Sequence, residues 1–74
     1  MEEIKISIKE DFIKLDSALK LSSLVATGGH AKFAIQSGEV LVNGEVCLMR
    51  GKKLKIGDTA EFNGVKIIVT NEGK

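Results

Sequence analysis

Two Asn-Gly pairs, Asn43-Gly44 and Asn63-Gly64, each lie between runs rich in apolar and β-branched residues. A two-residue hairpin turn whose twist matches its strands needs positive φ at both positions, and asparagine followed by glycine takes those angles most readily. The pairs predict two hairpins, 39–42 with 45–48 and 58–62 with 65–70. The second half of the chain is thereby committed to an antiparallel sheet.

The first half must supply what covers that sheet. Ile4-Lys5-Ile6-Ser7-Ile8 alternates with the period of a strand buried on one face. A chain of 74 residues has little other apolar surface to bury it, so its predicted partner is the strand from Val65 to Val69. From Phe12 the period lengthens. Phe12, Leu15, Ala18 and Leu19 fall at helical spacing behind Asp11, an N-cap or first-turn acid. That helix is expected to end at Ser22 or Ser23, with Lys14, Ser17 and Lys20 facing solvent. A second helix is predicted from Thr27-Gly28-Gly29 to Ser37-Gly38, where Gly38 suits a left-handed cap. Its phase turns Ala31, Ala34 and Ile35 inward and Gly29, Lys32, Phe33 and Gln36 outward. The expected order is strand, two helices, then four strands, as one domain over residues 1–74, with the basic stretch Arg50 to Asp58 connecting the hairpins.

Bulk properties narrow the function. One small core leaves no room for a large substrate cleft. An apolar fraction of 43% with 28% charged residues of both signs is that of a soluble globular protein. No apolar run approaches the roughly 18 residues of a membrane span, and Met1-Glu2-Glu3 is unlike a secretory signal, so the expected location is cytoplasmic. Cys47, the single cysteine, has no internal partner and is expected as a buried strand residue. The net charge is only +1, yet between Lys14 and Lys55 seven cations face three acids. This basic middle predicts a one-sided field carried by Lys14, Lys20, Lys32, Arg50, Lys52 and Lys53, with a neutral or acidic opposite face.

Motifs for chemistry are missing. Gly28-Gly29 is not a P-loop, because Lys32 stands three residues past the second glycine, and there is no Gly-x-Gly-x-x-Gly. His30 has neither a carboxylate nor a serine partner in sequence, and one histidine with one distant cysteine is not a metal set. No catalytic residue, metal site or cofactor is expected. Thr27-Gly28-Gly29 reads instead as a helix start with free amides, which glycines leave open to a phosphate held also by the Thr27 hydroxyl and Lys32. Glycines that merely turn the chain between helices, and a His30 that is simply exposed, are the plainer alternatives.

Several elements in order complete the pattern. Lys14-Leu15-Asp16-x-x-Leu19, Thr27-Gly28-Gly29-x-Ala31-Lys32, Ile35-x-x-Gly38-x-Val40-x-Val42-Asn43-Gly44 and Leu54-x-x-Gly57-Asp58 together resemble the S4 RNA-binding domain over roughly Phe12 to Phe62. The short chain with Gly-Gly-x-Ala-Lys is most similar to the stand-alone bacterial S4 proteins of the YaaA/YbcJ type. The resemblance implies an α+β fold with an α-L motif, two short helices packed on a small antiparallel sheet. It also implies binding to structured RNA of the ribosomal or transfer class; a monomer is expected. Lys14 stands where the family has the arginine of an Arg-Leu-Asp opening, Lys32 where a basic residue follows the helix alanine, and Thr27 at a family Ser/Thr. Gly28 replaces the arginine that many S4 domains place next, which removes a forked phosphate donor. Taken with the basic face and the open helix start, the expected RNA site comprises Lys14, Lys20, Thr27, Gly28, Gly29, His30, Lys32, Phe33, Gln36, Arg50, Lys52 and Lys53. Phe33 either stacks on an unpaired base or packs sideways on the fold. Two rival functions are an adaptor that docks on a ribosomal or replication assembly by protein contacts, and a β-grasp sulfur carrier. The second would need a terminal Gly-Gly where this chain has Glu72-Gly73-Lys74.

Overall fold

In a computed structural model, which describes residues 2–71, nine elements follow one another. They are β1 Glu2–Ile8, β2 Phe12–Lys14, α1 Leu15–Leu21, α2 Gly28–Gln36, β3 Leu41–Val42, β4 Glu45–Val46, β5 Lys53–Lys55, β6 Thr59–Phe62 and β7 Val65–Asn71. Residue 1 and residues 72–74, included in the predicted domain, lie outside the described residues. Both Asn-Gly pairs make the turns expected of them: φ is 51° and 89° at Asn43 and Gly44, and 55° and 81° at Asn63 and Gly64.

The main sheet has the order β1-β7-β6-β3-β4, and both helices lie on one side of it. Ile6 and Ile8 of β1, Ala60 and Phe62 of β6, and Ile67 and Val69 of β7 alternate into the core. There they meet Leu15, Ala18 and Leu19 of α1 and Ala31, Ala34 and Ile35 of α2. The first and last strands pair as predicted, Ile4 opposite Ile67 and Ile6 opposite Val69, but run parallel, so the sheet is mixed. A period-2 pattern buries the same face in either direction and carries no orientation. On the helix-free side Glu3 and Glu61 flank Lys66 across three strands, a mixed-charge ladder.

Three expectations need correction. Phe12–Lys14 is a strand, not the first turn of a helix, and Asp11 caps nothing: α1 begins at Leu15 with Lys14 as N-cap and no side-chain cap. Lys53–Lys55 is its antiparallel partner rather than part of a loose connection, and this small second sheet tucks Leu54 into the core. The first hairpin is shorter than predicted. Cys47 lies one residue past β4, half-buried, and only its N–H reaches back to the Val40 carbonyl at 3.1 Å.

Both helices end in the same way. The Glu39 amide donates to the Ala34 carbonyl and the Gly38 amide to Ile35, while Leu24 donates to Leu19 and Ser23 to Lys20. These are Schellman pairs, and each needs a left-handed residue just past the helix. Gly38 fills that position at φ 80°, but after α1 it is Ser23 at φ 67°. An L-residue there is strained by about 1–2 kcal/mol, partly offset by the entropy that glycine would lose. Ser23→Gly is therefore expected to stabilise the domain by about 0.5–1 kcal/mol in urea titrations; an unchanged midpoint would show that the serine pays no such strain.

Two pieces of the sequence pattern meet in the fold. The Asn43 side-chain amide donates to Asp58 Oδ1 at 3.3 Å, its oxygen accepts from the Thr59 amide at 3.0 Å, and Asp58 Oδ2 accepts from the Lys55 amide at 2.8 Å. The Val42-Asn43-Gly44 turn is thus clamped to the Gly57-Asp58 turn. No helix among the described residues is long and apolar enough to cross a membrane.

Candidate functional site

The start of α2 is built by its cap. Thr27, in extended backbone, accepts the His30 amide on Oγ1 at 3.1 Å and the Ala31 amide on its carbonyl at 3.1 Å. Of the first-turn amides, this leaves those of Gly28 and Gly29 for a ligand, along with the Thr27 hydroxyl proton. Neither glycine has the positive φ that would require one. A Cβ at Gly29 would come no nearer than 3.9 Å to the Thr27 hydroxyl, and one at Gly28 would meet only the Lys20 amine, at 4.0 Å. The fold therefore tolerates side chains at both positions. What their absence provides is an open approach to two free amides at the positive end of a helix, with the α1 lysine beside it. Lys32, exposed one turn further on, lies in helical phase between the two glycines.

A second basic group forms at the other end of α1. The helix has no capping side chain, and its orphan amides are met from far along the chain: Leu15 donates to the Lys52 carbonyl at 2.8 Å and Asp16 to that of Arg50 at 3.2 Å. This capping draws the loop carrying Arg50 and Lys52 against Lys14. In the β2–β5 ribbon Ile13 faces Leu54, Lys14 faces Lys53 and Phe12 faces Lys55. Strand alternation then puts Lys14, Lys53 and Lys55 on one face, opposite the one that buries Leu54. The Lys53 amine sits 4.8 Å from the centre of the Phe12 ring. Like charges directly opposed across a ribbon are destabilising, and the Phe12 contact that accounts for Lys53 does not account for Lys14 opposite it.

The predicted residues thus fall into two groups. Lys20, Thr27, Gly28, Gly29 and Lys32 gather where α1 ends and α2 begins; Lys14, Arg50, Lys52 and Lys53 gather where α1 starts. Lys14 and Lys20 are separated by roughly 9 Å of helical rise. Phe33 is 68% exposed and Gln36 is exposed beside it on the outer face of α2. His30 is exposed but turns its ring edge-on to Phe62, with centroids 6.4 Å apart. Sequence reasoning missed Lys55 and Phe12 as parts of the ribbon. The alternation Lys53-Leu54-Lys55 was the available signal, and it was hidden by reading the stretch as a connection. Also missed were the exposed Val46, Leu48 and Met49.

Comparison with known proteins agrees with this architecture. The S4 domain family matches residues 6–70. A relative from Bacillus subtilis (strain 168), described as a probable ribosome maturation protein RlbA, is 44% identical over 59 residues, covering 80% of this chain and 83% of its own length. With the match running through both helices and nearly the whole sheet, the chain belongs to the S4 domain family.

Proposed function

We propose that the chain is a non-catalytic, monomeric RNA-binding module of the cytoplasm that recognises structured RNA of the ribosomal or transfer class. The observation that carries this reading is the cross-strand opposition of Lys14 and Lys53, with Lys55 on the same face. Such an arrangement costs stability when empty and gains when a phosphate lies between the amines. The open amides of Gly28 and Gly29 between Lys20 and Lys32 supply a second phosphate position. Membership in the S4 family supports RNA as the polyanion, and the ribosome-maturation description of the Bacillus subtilis relative supports a ribosomal one. Phe33, exposed beside the glycines on α2, offers a ring for an unpaired base.

Salt titrations test the α2 position. Lys32→Ala is expected to weaken binding to different ribosomal RNA fragments alike and to lower the slope of log affinity against log salt by about 1. Gly29→Val keeps the charge but crowds the amides, so it should weaken binding with less change of slope. Its Cβ makes only an ordinary contact with the Thr27 hydroxyl, at 3.9 Å, and the fold should stand. Wild-type affinity and slope in Lys32→Ala, with the domain folded, would mean that no phosphate binds there.

A further inference from the structure

Along the free edge of β4 runs a groove of about 350 Å³ that shares only Lys52 with the two basic groups. Its floor is Val42 and Cys47, both packed on the core, and Leu48 and Met49 stand along it. These two residues and Val46 are 58–65% exposed, an apolar surface that the fold itself does not bury. Most polar groups nearby are already engaged. Asn43 donates to Asp58 and accepts from Thr59, and the Met49 carbonyl accepts from the Lys52 amide at 3.1 Å and lies 3.7 Å from Cys47 Sγ. A ligand in the groove therefore meets the Glu45 and Lys52 side chains and the outer backbone edge of β4.

That combination selects its occupant. Lys52 and its neighbour Lys53 attract a polyanion to the rim, whereas Glu45 repels phosphate from the groove itself. What fits is a flat, largely apolar body whose edge donates hydrogen bonds, tethered to an anionic chain that stays on the lysines. Guanine presents N1–H and N2–H side by side, a matched pair for one carboxylate. We propose that this groove holds an unpaired guanine of the bound RNA, its face against Leu48 and Met49 and its two N–H groups donating to Glu45. The inference rests on the RNA-binding reading and adds to it a base-specific position.

Two oligoribonucleotides, UUUGUUU and UUUUUUU, separate the possibilities when titrated at low salt with the methyl groups followed by NMR. The guanine-containing strand is expected to bind about tenfold more tightly and to shift the methyl signals of Val46, Leu48 and Met49. Glu45→Gln, which keeps one acceptor but loses the charge and the paired oxygens, should remove most of that preference, and the all-uridine strand should bind no more weakly than to the wild type; Glu45 is exposed, so the variant folds. Equal binding of both strands, with shifts confined to the lysine groups, would overturn the guanine position and leave RNA binding intact. Failure of ribosomal RNA fragments as well as both strands to bind would overturn both. A Leu48→Ala, Met49→Ala variant that loses ribosomal particles but keeps the wild-type guanine preference would overturn it in favour of a protein partner.

Discussion

Deletion of residues 1–8 leaves a chain that does not hold its fold at 25 °C. The segment contributes the whole of β1, with Ile6 and Ile8 buried and Ile4 packed partly against the core. Removing two buried isoleucines from a packed site costs about 2–5 kcal/mol each. A domain of this size has a total stability of roughly 4–11 kcal/mol. Loss of β1 also strips β7 of its outer partner along seven residue pairs and turns a central strand into an edge. Collapse of NMR signal dispersion and of the cooperative circular-dichroism melt is the expected result. A truncated protein that melts where the full chain does would mean that β1 is an appendage and that the helices and hairpins form the entire cooperative unit.

The largest effect on binding is expected from Lys14→Ala, Lys53→Ala and Lys55→Ala combined. If each amine neutralises one phosphate, the variant loses roughly two orders of magnitude in RNA affinity at 0.1 M salt, and its salt slope falls by about 2 to 3. Stability should move little, or upward. The substitutions lose the Lys53 contact with Phe12, about 0.5–1 kcal/mol at an exposed site, and relieve the opposition of Lys14 and Lys53. Weaker binding at equal or greater stability is the signature of residues placed for a ligand. If affinity stays within twofold of the wild type, the ribbon does not touch RNA, and binding must come from α2 or from Arg50 and Lys52.

How much of this was legible depends on how local each signal is. Asn-Gly fixes a turn within its own two residues, and both hairpins follow from it. Thr27 and Gly38 mark the two ends of α2 through contacts that stay within that helix and its caps. The start of α1 is different, because its caps are the carbonyls of Arg50 and Lys52, more than thirty residues away, and no local residue announces them. Phe12 happens to continue the helical spacing of Leu15, Ala18 and Leu19, so a three-residue strand was absorbed into the helix. Its partner has one buried residue, Leu54, between two exposed lysines, too short an alternation to stand out. The basic character of the site was readable from the sequence; the face shared by Lys14, Lys53 and Lys55 needed a non-local pairing.

The parallel pairing of β1 with β7 also orders events in time. Ile6 finds its partner in Val69, near the far end of the described chain, with every other element between them. During synthesis β1 is made before every other described element and then waits, its apolar face uncovered, until β7 has emerged. The β3–β4 hairpin and α2 close over short loops and can form meanwhile, but the largest loop closure comes last. Such a domain completes itself only when β7 arrives, and its leading strand is the part most in need of protection until then.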